Sequence, residues 1–170
     1  MTAPHHLSGV SLERRLAVLR ALPSFETLPA DGMEELANLL GVERFAAGQE
    51  IVHESQVGDY MYLIEDGQVV VSAVGPTGSL QLGSLRAGEM FGEIALLSET
   101  RQRRATVTAE TPVVTLTLSL DRFQQMVALY PEVKMDLACA ASALMQIRLE
   151  ALMQAQQEKM QGLANSPLSI

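Results

Sequence analysis

Two hydrophobic rhythms divide the chain. From Leu12 the apolar residues recur at helical spacing, with Leu12, Leu16, Leu19 and Leu22 on one face and Arg14, Arg15 and Arg20 elsewhere. Pro23 ends that helix. A second short helix is predicted from about 29 to 40, carrying Met33, Leu36, Leu39 and Leu40; Pro29 suits its first turn, where a missing N–H costs little. From 42 to 119 the rhythm changes to short apolar or alternating runs at 42–45, 51–53, 60–65, 69–74, 80–85, 106–109 and 113–118, separated by glycine-bearing turns. Strands at this spacing predict an all-β barrel or sandwich. Helical spacing returns at Leu120, with Asp121 as the expected N-cap of a helix through Leu129, and a further helix from Pro131 to about Gln161, ended by Gly162. Residues 1–10 read as a flexible leader and 162–170 as a disordered tail, leaving N-terminal helices in 11–41, the β region in 42–119 and C-terminal helices in 120–161.

Composition narrows the function. Apolar residues make up 48% of the 170, enough for a real core, so wholesale disorder is excluded. Twelve Lys and Arg against 20 Asp and Glu leave a net charge of −8. Such a chain repels nucleic-acid phosphates unless a basic patch is concentrated somewhere, and no DNA partner is expected. The one dense basic cluster is Arg101, Arg103 and Arg104. A single cysteine, Cys139, excludes an internal disulfide and fits a cytoplasmic setting. No apolar run approaches the ~18 residues of a membrane span. Metal-dependent chemistry on a β-roll needs several His and carboxylate ligands, yet His5 and His6 sit in the leader and His53 stands alone on a strand, so neither enzyme nor metal site is expected.

The chemistry concentrates where the strand pattern is interrupted, at 91–104. The sequence there is FGEIALLSETRQRR, followed by ATV. Gly92 lets the backbone approach a ligand or adopt a conformation other residues avoid. Residues 93–97 suit one helical turn, whose first N–H groups favour an anion. Arg103 lies ten residues beyond Glu93, in a loop that can fold back over that turn. A guanidinium pairs with phosphate oxygens through parallel hydrogen bonds. A carboxylate only accepts hydrogen bonds, so beside an anion its natural partner is a hydroxyl, such as a ribose 2′-OH. One acid, one arginine and a helix start describe a site for a sugar phosphate.

FGEIALL followed by RRATV resembles the phosphate-binding cassette of the cyclic nucleotide-binding domain family, which includes the catabolite activator protein and the regulatory subunits of cAMP-dependent protein kinase. The resemblance covers roughly residues 22–150. It implies a mainly β fold with flanking helices: a jelly-roll-like β-roll (double-stranded β-helix) with N-terminal helices and a long C-terminal helix. It also implies that Glu93 binds the ribose hydroxyl, that Arg103 binds the cyclic phosphate, and that the backbone at Gly92 supports the ligand, with Ile94, Ala95 and Ala105 beside them. After the arginine the family usually has a small or hydroxylic residue, whereas this chain has Arg104. A contact linked to guanine recognition is therefore missing, which favours cAMP over cGMP, while the extra charge also suits a cyclic dinucleotide. Leu82, Leu85 and Thr106, on strands flanking the segment, are the candidate apolar wall for the base.

In the last helix Val133, Leu137, Ala140, Leu144, Ile147 and Ala151 follow spacings of four, three, four, three and four, a seam of about three heptads. Met145, Leu149 and Leu152 form a second stripe beside it. Two stripes on one helix predict a second surface, and in the resembling family this helix often makes a parallel dimer, so a homodimer through 133–152 is expected. The family also implies a cap over the base near Leu144, Met145, Arg148 and Leu149, with Arg148 stacking on the purine and a hinge at Tyr130-Pro131. The expected function is a cyclic nucleotide receptor signalling to a protein effector. A ligand-free adaptor that keeps Glu93 and Arg103 as a structural pair stands as the alternative. A helix-turn-helix regulator is disfavoured, because the residues after Leu149 are Gln-rich and then loose.

Overall fold

A computed structural model describes residues 9–164, excepting the side chains of residues 144, 148 and 151. Three short helical pieces come first: α1 (Leu12–Arg20), a 3-10 turn (Pro23–Phe25) and α2 (Ala30–Leu39). Ser11 caps α1, its hydroxyl accepting from the Arg14 N–H at 3.2 Å. Leu16, Leu19 and Leu22 of the expected face pack inward together with Val18, whereas Leu12 stays exposed. The 3-10 turn after Pro23 was not foreseen; it buries Phe25. Val10, expected in a loose leader, is buried and its carbonyl accepts from Arg15 Nε. The rest of that leader, 1–8, lies outside the described residues.

Eight strands follow: β1 (Gly41–Phe45), β2 (Glu50–Val52), β3 (Tyr60–Asp66), β4 (Gln68–Gly75), β5 (Gly78–Arg86), β6 (Met90–Phe91), β7 (Thr106–Ala109) and β8 (Val113–Ser119). They form two four-stranded antiparallel sheets, ordered β1-β8-β3-β6 and β2-β7-β4-β5. This is the expected β-roll. Side chains alternate across a strand, and in β3 the alternation divides two interiors. Met61 and Leu63 pack with the helices, whereas Tyr62 and Ile64 face the space between the sheets.

Between β6 and β7 comes α3 (Glu93–Leu97), and after β8 come α4 (Leu120–Leu129) and α5 (Glu132–Ala164). Ser119, two residues ahead of the expected Asp121, caps α4 by accepting from the Arg122 N–H. Tyr130 breaks the path between α4 and α5 as expected, and a Cβ on Gly32 of α2 would meet its ring at 2.9 Å. α5 has 33 residues, about 50 Å of helix. It runs through Gly162, where an end was expected; glycine inside a helix costs only about 1 kcal/mol. Residues 165–170 lie outside the described ones. Val133, Leu137 and Ala141 are buried in the domain, with α5 lying against the 3-10 turn and α3. The remaining apolar side chains described further along are largely uncovered: Met145, Ile147, Leu149, Met153, Met160 and Leu163 are exposed. Among the described residues no helix is long and apolar enough to cross a membrane.

Candidate functional site

The segment 91–104 is drawn into the roll at both ends. Phe91 ends β6 and stacks on Tyr62 of β3, ring centroids 4.9 Å apart and 12° from parallel. Gly92 then turns the chain with φ +81, a left-handed conformation in which a side chain is strained. A Cβ there would also lie 2.7 Å from Arg103 Nη1 and 3.0 Å from the Tyr60 carbonyl. This turn starts α3 and sets Glu93 at its first position, only 2% exposed.

The far end of the segment is stitched to the loop between β2 and β3. Arg103 N–H donates to the Gln56 carbonyl at 2.8 Å, Ser55 N–H to the Arg103 carbonyl at 3.0 Å, and Gly58 N–H to the Arg101 carbonyl at 3.0 Å. Val57 and Gln102 form an antiparallel bridge between them. Arg101 turns away and pairs with Asp59 at 2.6 Å. Arg103 turns inward and is 7% exposed. Its Nη2 donates to the Tyr60 carbonyl at 2.8 Å and its Nη1 to the Gly92 carbonyl at 3.3 Å. Its guanidinium carbon lies 5.9 Å from the centre of the Tyr62 ring. Burial pulls the Arg103 pKa below its usual value, and the neighbouring Tyr62, Asp59 and Glu93 oppose that fall. A buried cation held by carbonyls, with an acid nearby, retains donors for an anion, because a guanidinium carries five N–H groups.

These residues surround one open cleft of about 60 Å³, smaller than the roughly 300–1,000 Å³ of pockets that enclose a drug-sized ligand. Gly92, Glu93, Ile94, Ala95, Arg103, Arg104 and Ala105 all line it, so seven of the expected site residues come together. Leu82, Leu85 and Thr106 do not line it. Leu85 and Leu82 belong to the packing between the sheets. Thr106 faces away from the interior, half-buried, and its hydroxyl accepts from the Glu54 N–H at 3.0 Å, while its neighbour Val107 points in. The apolar wall is instead built by Val52, Val71, Val107 and Phe91, with Gln102 at the cleft. The parity of β7, in which Val107 and Ala109 are buried, was the available signal for Val107. Nothing periodic marks Gln102.

Of the expected cap over the base, Met145 and Leu149 are described, and neither reaches the cleft. No described α5 side chain lines the cleft, and Met145 and Leu149 are exposed. The side chains of Leu144 and Arg148 lie outside the described ones.

The profile of the cyclic nucleotide-binding domain matches residues 42–130, from β1 to the end of α4. Over 130 residues the chain is 38% identical to a cAMP-dependent protein kinase regulatory subunit from Eremothecium gossypii, covering 75% of this chain and 27% of that protein. The chain belongs to the cyclic nucleotide-binding domain family. Another relative in that family is a cGMP-dependent protein kinase from Eimeria tenella, 34% identical over 115 residues, which cover 68% of this chain and 11% of the kinase. The chain thus spans between about a tenth and a quarter of the length of these two relatives. Among solved structures, the regulatory domain of Toxoplasma gondii PKA, crystallised with cAMP, superposes with a TM-score of 0.67 at 27% identity, covering 77% of this chain and 51% of that one. The β-roll and flanking helices of this chain are those of a cyclic nucleotide-binding domain.

Proposed function

We propose that this chain is a non-enzymatic cyclic nucleotide receptor, taking cAMP in preference to cGMP and reporting through its C-terminal helix to a protein partner in the cytoplasm. One observation carries the reading: Glu93 and Arg103, both buried, converge on one open cleft with an apolar wall of Val52, Val71, Phe91 and Val107, and with Gln102 and Arg104 also at it. A purely structural pair needs no cleft beside it. In the cleft the three parts of a cyclic nucleotide find three surfaces. Arg103 and the first turn of α3 receive the phosphate. Glu93 accepts from the ribose 2′-OH. Val52, Val71, Val107 and Phe91 receive the base. The cAMP preference rests on Arg104, which stands where family members that take guanine often carry a hydroxyl. Arg104 also lines the cleft, and that observation favours a second reading, a cyclic dinucleotide whose second phosphate it meets.

The coupling follows from contacts already described. α3 packs on α5, so a ligand that pulls on Glu93, Ile94 and Ala95 biases where α5 lies. Binding selects the arrangement in which α5 comes nearer the cleft, bending at Tyr130-Pro131. The exposed Met145, Ile147 and Leu149 give a second copy an apolar face within 133–152. No DNA contact is needed for this mechanism.

Calorimetry with cAMP, cGMP and a cyclic dinucleotide tests the reading. Wild type binds one of them. Arg103→Ala weakens it by roughly 2–5 kcal/mol, about thirtyfold to several thousandfold, because a phosphate charge loses its buried partner. No heat from any of the three ligands would leave only a scaffold. Light scattering on the same samples reads the assembly, and a monomer at high micromolar concentration rules out the homodimer.

A further inference from the structure

We propose that Gly58 is a positioning residue for the nucleotide phosphate: its missing side chain leaves the space in which the Arg103 guanidinium lies. The inference rests on the reading of Arg103 as the phosphate-binding group. Gly58 sits in the loop between β2 and β3, outside the lining of the cleft, so it acts through Arg103 and not on the ligand.

A Cβ placed on Gly58 meets Nε, Cζ and Nη2 of Arg103 as its three nearest atoms, all within 3.0 Å. Carbon and nitrogen do not approach so closely without bonding, so the guanidinium must move. The backbone gives no other reason for glycine here. Gly58 is not among the residues with positive φ, unlike Gly92 at +81, so alanine can adopt its conformation. The demand for glycine comes from the arginine.

The surroundings leave that arginine few alternatives. Residues 101–103 are stitched to the Gly58 loop by the backbone bonds of Ser55, Arg103 and Gly58 and by the Val57–Gln102 bridge, so the Arg103 backbone cannot retreat from it. Asp59, the next residue, holds Arg101 outward at 2.6 Å, which leaves Arg103 as the arginine across Gly58. On the far side of the guanidinium, the Tyr60 and Gly92 carbonyls fix two of its nitrogens. A methyl group on Gly58 therefore displaces the group from both carbonyls and disorients the donors aimed at the cleft.

Three measurements on the whole chain test this. Gly58→Ala weakens cAMP or cGMP binding by roughly tenfold or more, without exceeding the loss in Arg103→Ala. In the Arg103→Ala background, Gly58→Ala adds no further loss, because its effect passes through a side chain already gone. By NMR without nucleotide, the Arg103 Nε–H signal, assigned by its loss in Arg103→Lys, moves in Gly58→Ala. Unchanged affinity with an unmoved Nε–H signal overturns the inference, as does an additive loss in the double variant. If Gly58→Ala unfolds, the double variant with Arg103→Ala regains stability in urea; a double variant no more stable than Gly58→Ala assigns the glycine to the backbone and overturns the inference. Should wild type bind neither nucleotide, the receptor reading fails, while the Nε–H signal still decides the role of Gly58.

Discussion

The roll has two apolar interiors, and they are closed differently. One lies outside the β1-β8-β3-β6 sheet, where Met61, Leu63, Met90, Leu116 and Leu118 meet Leu19, Phe25, Leu36, Phe123, Met126 and Leu137 from the helices. Helices seal it. The other lies between the sheets, where Val52, Tyr62, Val69, Val71, Phe91 and Val107 meet. Of these, Val52, Val71, Phe91 and Val107 also border the cleft. The first interior is spent on stability, whereas the second is partly kept for a ligand. The same strands serve both: β3 and β6 each send alternate residues to the two sides.

The largest effect that sharpens this contrast is expected in the sealed interior. Leu116 is completely buried against the helices and faces away from the cleft. Leu116→Ala should cost roughly 2–5 kcal/mol, since it removes a buried side chain and leaves a cavity. At about 2–4 °C per kcal/mol for a chain of this size, the midpoint of thermal unfolding falls by several degrees or more. Nucleotide affinity of the folded fraction should stay at the wild-type value. An affinity loss as large as that of Arg103→Ala would show that the two interiors are not separable.

A smaller effect with the opposite signature is expected at Val71. It is buried between the sheets and lines the cleft. Val71→Ala removes two methyl groups, worth about 1–2 kcal/mol of stability. It also withdraws apolar surface from the base, so affinity should fall several-fold. Affinity unchanged by calorimetry, with stability lowered, would move the base off the β4 wall.

The two interiors also differ in how well they can be read from the residues alone. The cleft's polar end was legible because it is contiguous: Gly92, Glu93, Ile94, Ala95, Arg103, Arg104 and Ala105 fall within fourteen positions. Its apolar wall was not, because it is assembled from β2, β4 and β7 by strand pairing. Flanking position selects Leu82, Leu85 and Thr106, but a register shift between Val71 and Ser72 alters the pairing with β5, and the parity of β7 turns Thr106 outward. The roll itself was legible, since glycine-bearing turns separate most of the strands, and Pro112 marks the turn between β7 and β8. In the last helix the heptad seam marked apolar positions without saying what covers them. Val133 and Leu137 are buried in this domain, yet Ile147 on the same seam is 62% exposed. Periodicity finds a stripe, and only the length of the domain beneath it decides where the cover ends.

The smallest expected effect probes the rim of the open interior through pH. Glu43 on β1 pairs with Thr115 and shares a strand face with Phe45, whose ring meets Tyr62 edge-on, 6.3 Å between centroids. It thus stands on the side of the sheet that faces the cleft-bearing interior, whereas Val42 packs toward the helices. Glu43 is largely exposed, yet partial desolvation raises its pKa above the ordinary value, and its charge in turn adds to the upward shift that burial gives Tyr62. A carboxyl with a raised pKa in the folded state holds its proton more tightly there than in the unfolded chain. Its contribution to stability is therefore full below the ordinary carboxylate range and is lost as pH rises through the raised value. Glu43→Gln keeps a neutral side chain throughout, so urea unfolding between about pH 4 and pH 7 should show a flatter pH profile and a more stable variant at the neutral end. A variant whose profile parallels wild type would show that the exposed Glu43 carboxylate stays fully hydrated and would remove it from the rim.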